Sequence, residues 1–207
     1  MKKLAILGAS GHGCVIADIA LQSGWDEIVF FDDAFPEKTQ VKAWPVSGNT
    51  DMLVANLAAY DGVVVGIGHN RVRQQKMNLL LERQAPLVSI IHPSAVISTF
   101  AQIGVGSVVM PLAIINIGTT IGNACIVNSS AVVEHDCQIG DAVHIGPNAA
   151  LGGGVRIAMG AWIGIGANIR HLESIGEYAT VGAGATVVST VAAHSTVVGT
   201  PARIISV

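Results

Sequence analysis

From residue 97 to residue 187 every sixth position is a branched aliphatic: Ile97, Ile103, Val109, Ile115 and so on to Val181 and Val187, sixteen positions with no exception. The residue after each is glycine in half of the cases, and four places on stands Ala, Ser, Thr, Cys or Val, except where Glu173 falls. A period of six is neither the 3.6 of a helix nor the 2 of a plain strand. It suits a short strand plus a bend, with one aliphatic side chain pointing inward per unit. Three units close a triangular coil of roughly 18 residues, and about five coils stacked at the ~4.8 Å inter-strand spacing make a prism roughly 24 Å tall. Glycine after the aliphatic is expected to serve the bend, through positive φ or close backbone approach. After Val187 the period fails, and the segment 189–203 is read as extra residues forming the atypical unit that stops a solenoid from stacking further.

Residues 1–90 carry a different rhythm, short apolar runs alternating with helical stretches. Strands are expected over 3–7, 28–31 and 63–65, and helices over 14–21, 50–60 and 71–83. That alternation predicts a small parallel βα sheet. The chain thus reads as two domains, 1–90 with a Rossmann-like α/β sheet and 91–207 as an all-β parallel β-helix.

Composition changes this picture little. The stretch 84–133 has no Asp, Glu, Lys or Arg, yet Ser, Thr, Asn, Gly and Pro interrupt it too often for a membrane-spanning helix, which needs about 18 apolar residues in a row. A net charge of −3 gives no surplus with which to bind a nucleic-acid backbone. Cys14, Cys125 and Cys137 form no C-x-x-C pair and fit a reducing compartment. The apolar run after Met1-Lys2-Lys3 ends at Gly8, too short for a signal sequence, so a cytoplasmic location is expected. Cys125 and Cys137 fall at inward positions and read as packed thiols rather than nucleophiles.

Candidate chemistry sits in two places. In the first domain, Gly8-Ala9-Ser10-Gly11-His12-Gly13 joins the first strand to the first helix, where backbone N–H groups can approach a pyrophosphate. Its G-x-x-G-x-G spacing and the small sheet suit a sugar nucleotide better than a dinucleotide. Asp32 and Asp33 end the second strand, at the edge where ligands of such sheets bind, and can accept from a ribose hydroxyl or a base N–H. Gly66-Ile67-Gly68-His69-Asn70-Arg71 follows the third strand, with Arg71 able to neutralise phosphate. In the second domain, Glu134-His135-Asp136 stands out where charges are scarce. His135 lies two places after an inward Val133, at a bend, and a flanking carboxylate would fix its tautomer for general base work. Whether Glu134 or Asp136 does so is left open.

The run G-A-S-G-H-G, D-D, I-G-x-N-x-x-R, H-P-S-A, N-S-S-A-V-V-E-H-D-C and G-T-P-A-R covers essentially the whole chain. It resembles the bacterial nucleotide-sugar N-acetyltransferases of the hexapeptide-repeat family, and is similar also to the sialic-acid O-acetyltransferases. The resemblance implies a left-handed β-helix, although right-handed crossovers dominate parallel sheets generally. It implies acetylation by acetyl-CoA of the 4-amino group of a nucleotide-diphospho 4-amino-4,6-dideoxy sugar, for surface glycan synthesis. It further implies a homotrimer with the acetyl-CoA cleft between prisms, whose flat faces would carry Val and Ile, and no metal. By the same resemblance His135 is the base and Asp136 orients it. Ser10, Gly11, His12, Asp32, Asp33 and Gly68 contact the nucleotide, and Asn128, His144, Gly153, Ile165 and Ala183 line the acetyl-CoA groove. Transfer is direct, with a backbone N–H near Gly152 or Gly153 for the oxyanion.

Two rivals are weighed against this reading. A γ-type carbonic anhydrase shares the prism but needs three closely placed His ligands for zinc, whereas His135 and His144 are nine apart and His171 is 36 from His135. A non-catalytic trimeric scaffold would have no use for a bend histidine flanked by acids.

Overall fold

The computed structural model describes residues 1–205. Ser206 and Val207, the end of the domain expected over 91–207, lie outside the described residues. The chain divides into two compact units, one through Pro93 and the other from Ser94.

The first unit is built on three parallel strands, β1 (Lys3–Leu7), β2 (Glu27–Phe31) and a later strand at Gly62–Val65, with β1 in the middle. Leu4, Ala5, Ile6 and Leu7 are all buried, because helices cover both faces and a central parallel strand has no solvent side. Helix α1 (Gly11–Gln22) starts three residues earlier than the periodicity predicts. A two-strand hairpin, β3 (Gln40–Val41) and β4 (Trp44–Pro45), was not expected; Trp44 packs its ring 5.8 Å from that of Phe30. The helix expected over 50–60 is α2 (Thr50–Ala55) followed by one 3-10 turn at Leu57–Ala59. Asn56 ends α2, since its side-chain amide donates to the Met52 carbonyl at 2.8 Å and competes with the helical ladder. After β5 (Gly62–Val65) comes α3 (Asn70–Glu82), capped by His69, whose Nδ1 accepts from Val72 N–H.

The second unit is a left-handed parallel β-helix of about six turns, each strand pairing with the one 18 residues on. Face one stacks six two-residue strands, with Ile97, Ile115, Val133, Leu151, Ile169 and Val187 in one inward column. Face two carries Ile103 to Ile175 and face three Val109 to Val181 in the same register. Each inward Ile or Val contributes on the order of 1.5–3 kcal/mol by leaving water. Cys125 and Cys137 are buried within this core, and burial pushes the Cys137 thiol up from its ordinary pKa. This agrees with packed, unreactive thiols.

The corners differ from expectation in one respect. Left-handed backbone recurs at every sixth residue from 106 to 184, three places after the inward aliphatic rather than one. The glycine directly after the aliphatic answers close approach instead: a Cβ on Gly104 would sit 2.5 Å from the Gly122 backbone one coil away. The left-handed column includes Asp136 at φ 60°, and Asp bears that conformation better than most side chains.

The faces are not alike outside. Face one presents Val96, Ile114, Val132 and Ala150 outward, followed by the polar Asn168 and Thr186, while face two presents Gln102, Thr120, Gln138, Arg156 and Ser174. Val and Ile therefore do not line all three faces. The end unit also departs from expectation, being shortened rather than extended: Val191 bridges to Ile175 and Val197 pairs with Val181, both 16 residues apart. Thr196–Val198 then pairs antiparallel with Arg203–Ile205, which ends the parallel stacking.

Candidate active site

His135 projects from the corner between faces one and two, with its side chain 59% exposed, and Asp136 Oδ2 lies 2.8 Å from its Nδ1. Glu134 is turned elsewhere and accepts from Asn116 Nδ2 at 2.9 Å, one coil away. Asp136 is thus the residue that orients the ring. As the acceptor of Nδ1–H it leaves Nε2 unprotonated in the neutral imidazole, the form a base requires. Gly118, one coil away, leaves the room that the Asp136 carboxylate occupies, and Gly153, on the other side, leaves room for the ring. A Cβ on Gly153 would lie 2.6 Å from His135 Nε2.

The N–H of Gly152 is taken up by Ile169 O and that of Gly154 by His135 O. Gly152 is therefore not available to an oxyanion. The Gly153 N–H has no acceptor among the described residues, and it belongs to the residue over which Nε2 lies. His135 Nε2 thus lies beside a residue whose amide donor is not engaged by the backbone ladder.

The residues expected around acetyl-CoA do not all gather there. Asn128, Ile165 and Ala183 lie on the corner between faces three and one, with His144 on the adjoining face three. Asn128 Oδ1 accepts from Ser129 N–H, so its Nδ2 donates to His144 Nε2 at 3.1 Å. His144 is buried, with its ring centroid 4.2 Å from that of Trp162. Gly153 lies with His135, one face away, a span of up to about 20 Å at ~3.3 Å per residue.

In the first unit a cleft of about 290 Å³ is lined by Leu7, Gly8, Ser10, Asp32, Asp33, Ile67, Val72 and Lys76. Asp32 holds the β1–α1 loop through Ala9 N–H at 2.7 Å and its own turn through Ala34 N–H at 3.0 Å. Lys38 donates to Ala9 O on the same loop. Gly13 has no room for a Cβ against Gly8 O, which brings α1 close to the strand end. Asp33 accepts from Thr50 N–H and Oγ1–H and pairs with Lys76 Nζ at 2.6 Å. Partial burial raises the pKa of Asp33, but the Lys76 and Thr50 hydrogen bonds outweigh it and the net shift is downward.

Of the nucleotide-binding set, Ser10, Asp32 and Asp33 line this cleft, while Gly11, His12, Gly68 and Arg71 do not. Arg71 is exposed on the first turn of α3. Arg73 is the buried cation instead, donating to Ile67 O, Gly68 O and Asn70 Oδ1 and so fixing the loop after β5. It is the arginine of the I-G-x-N-x-x-R run, so the motif pointed to it. Lys76, one helical turn further along, carried no such signal.

His12 Nε2 is buried without a hydrogen-bond partner. Burial foremost, and then the Arg73 charge, lower its pKa to about 4. The unfolded chain, titrating near 6.5, then binds more protons than the folded one between about 4 and 6.5, so stability falls as pH drops through that window. Urea midpoints measured from pH 7.5 to pH 4.5 are expected to fall, and to fall less in His12→Gln. Equal slopes for both proteins would exclude His12 as the cause.

Comparison with known proteins gives a consistent picture. Residues 3–80 match the PglD N-terminal domain, and residues 118–153 match the bacterial transferase hexapeptide family of six repeats. The acetyltransferase domain of PglB from Neisseria gonorrhoeae FA1090, solved in complex with acetyl coenzyme A, is 39% identical with a TM-score of 0.93, over 99% of both chains. PerB from Caulobacter crescentus, solved with CoA and GDP-perosamine, is 34% identical with a TM-score of 0.93, over 100% of this chain and 98% of that one. UDP-N-acetylbacillosamine N-acetyltransferase of Bacillus subtilis (strain 168) is 38% identical over 116 residues, a match that spans about half of each protein, 53% of this chain and 52% of that one.

Proposed function

The chain belongs to the hexapeptide-repeat nucleotide-sugar N-acetyltransferases, and from that premise we propose that it transfers the acetyl group of acetyl-CoA to the 4-amino group of a nucleotide-linked 4-amino-4,6-dideoxy sugar. The 1–90 domain holds the nucleotide and the 91–207 domain carries out the transfer. The observation that carries this reading is the placement of His135 Nε2 directly over Gly153, with Nδ1 bonded to Asp136.

His135 Nε2 accepts the proton of the attacking amine, and Asp136 stabilises the imidazolium so formed. The Gly153 N–H donates to the oxygen of the tetrahedral intermediate as charge develops there. Collapse of that intermediate breaks the C–S bond and releases CoA thiolate, which recovers a proton from the imidazolium or solvent. No acyl-enzyme is formed, in keeping with buried cysteines. The test is incubation with acetyl-CoA and a panel of nucleotide-linked amino sugars, followed by thiol release. Release with none of them would overturn the reading.

The separation of Asn128, His144, Ile165 and Ala183 from Gly153 by one face supports a homotrimer. Two prisms side by side can bring one copy's first group against the next copy's second, and a three-fold ring closes the arrangement. The outward column of face one, apolar from Val96 to Ala150, supplies the contact surface. Light scattering is expected to give three times the 21.3 kDa chain mass. Val132→Asp should give the monomer mass, with thiol release reduced at least about tenfold, since a carboxylate in an apolar interface is not tolerated unpaired. A wild-type monomer retaining full activity would exclude a shared site.

A further inference from the structure

We propose that Leu172 limits the length of the transferred acyl group by standing against the methyl of the acetyl thioester. The inference rests on the transfer reading above and adds to it a residue that selects acetyl over longer acyl-CoA donors.

Two side chains lean over one pair of glycines from opposite sides. From the coil before comes the His135 ring, whose Nε2 is 2.6 Å from where a Cβ of Gly153 would stand. From the coil after comes Leu172, whose Cδ2 is 2.7 Å from the Cβ position of Gly154. Leu172 N–H donates to Gly153 O at 2.9 Å, which ties its backbone to the residue under the ring. The corner that carries it is anchored, because Glu173 is buried and accepts from Arg170 Nε at 3.0 Å. Ile117, also exposed on this corner, lies one coil to the other side of His135, away from Nε2.

The fold itself does not call for leucine here. Its φ is 62°, and glycine holds the equivalent places at 154, 160, 166 and 184, where a Cβ is disfavoured. Tyr178, the next residue of that column, stacks on His194, whereas Leu172 is 75% exposed. An apolar side chain favoured neither by its backbone nor by burial gains free energy when an apolar group covers it. The amine that gives its proton to Nε2 lies about 3 Å away, and the acyl carbon is one bond further. The acetyl methyl is bonded to that carbon, so its position is set more closely than that of any methyl on the sugar. Consecutive Cα atoms are ~3.8 Å apart, so an acyl group seated over Gly153 has Leu172 over the neighbouring residue. A methyl fits that interval, and added methylenes meet the isobutyl group.

The test compares kcat/KM for acetyl-, propionyl- and butyryl-CoA with a nucleotide amino sugar that the wild-type protein acetylates. Propionyl-CoA is expected to be about tenfold or more poorer than acetyl-CoA, the range for one misplaced methylene, and butyryl-CoA poorer still. Leu172→Gly should narrow the propionyl deficit to below about threefold, with melting temperature unchanged or raised because glycine accepts the left-handed backbone. Leu172→Met, similar in volume, should keep the preference. Equal use of acetyl- and propionyl-CoA by the wild type, or an unchanged ratio in Leu172→Gly, overturns the inference. So does a change confined to selectivity between 6-deoxy and 6-hydroxy sugars, which would set Leu172 against the sugar, or a loss of oligomer mass in Leu172→Gly, which would make it a packing residue between copies. In each of these cases wild-type acetyl transfer persists and only the role of Leu172 is lost. Transfer from none of the CoA esters to any nucleotide amino sugar overturns the transfer reading itself.

Discussion

His135→Asn is expected to lower kcat on the order of 10²-fold or more, with little change in the KM of either substrate. Asn approximates the imidazole in size and can still hydrogen-bond Asp136, but it cannot take a proton near neutral pH. Positioned general bases contribute typically 10²–10⁴-fold, and a loss confined to kcat marks a group that acts in the transition state. The side chain is exposed at a corner, so the substitution removes little packing, and melting temperature should stay within a few degrees. Asp136→Asn should cost less, because Asn also tolerates the left-handed backbone at 136 and only tautomer control and imidazolium stabilisation are lost. Steady-state kinetics on both variants decide the matter. Turnover of His135→Asn within about threefold of wild type would assign proton removal to water or to His144, since a true base cannot be lost so cheaply.

Gly153→Ala should cost a comparable amount for a purely geometric reason. The new methyl would lie 2.6 Å from His135 Nε2 and 2.7 Å from Cε1, closer than any real contact. The ring, being a solvent-facing side chain, swings away at little cost to the fold. Displacing a reacting group by about 1 Å can cost 10²-fold in rate, so kcat is expected to fall about that much while the melting temperature holds. Combining it with His135→Asn should add almost nothing, because both changes remove the same function. Gly152→Ala is the contrasting control. Its Cβ would meet the backbone nitrogen of His171 at 2.6 Å, which cannot swing aside, so that variant should lose stability. Full activity in Gly153→Ala would show that transfer does not use the ring position seen over Gly153.

Much of the architecture is legible without coordinates. The inward column of the prism is a strictly local signal, one aliphatic in six, and each residue declares its place by its distance from Ile97. The exposed placement of His135 at a corner follows from the same count, as does the burial of Cys125 and Cys137. The parallel order of β1, β2 and β5 follows from apolar runs alternating with helices, since a βα repeat returns its strands in one direction. Elements end less legibly. Asn56 stops α2 through one side-chain bond, and the shortened end coil is hidden because Val191 and Val197 again stand six apart.

Other features depend on residues brought together by closure of the coil or by packing of separate elements. That Asp136 rather than Glu134 orients His135 is decided by Asn116, 18 residues earlier, which engages Glu134. Gly152 and Gly153 look alike in sequence, yet one approaches backbone and the other the His135 ring. Lys76 meets Asp33 across 43 residues and Arg73 reaches back to the loop after β5, while Arg71, equally basic, faces solvent. The sequence by itself determined the two folds, the register of the prism and the corner from which His135 projects, because each rests on a period that neighbouring residues carry. Only the tertiary structure decided which acid, which glycine and which cation surround the chemistry, because those choices are contacts one coil or one strand apart, and no local spacing encodes them.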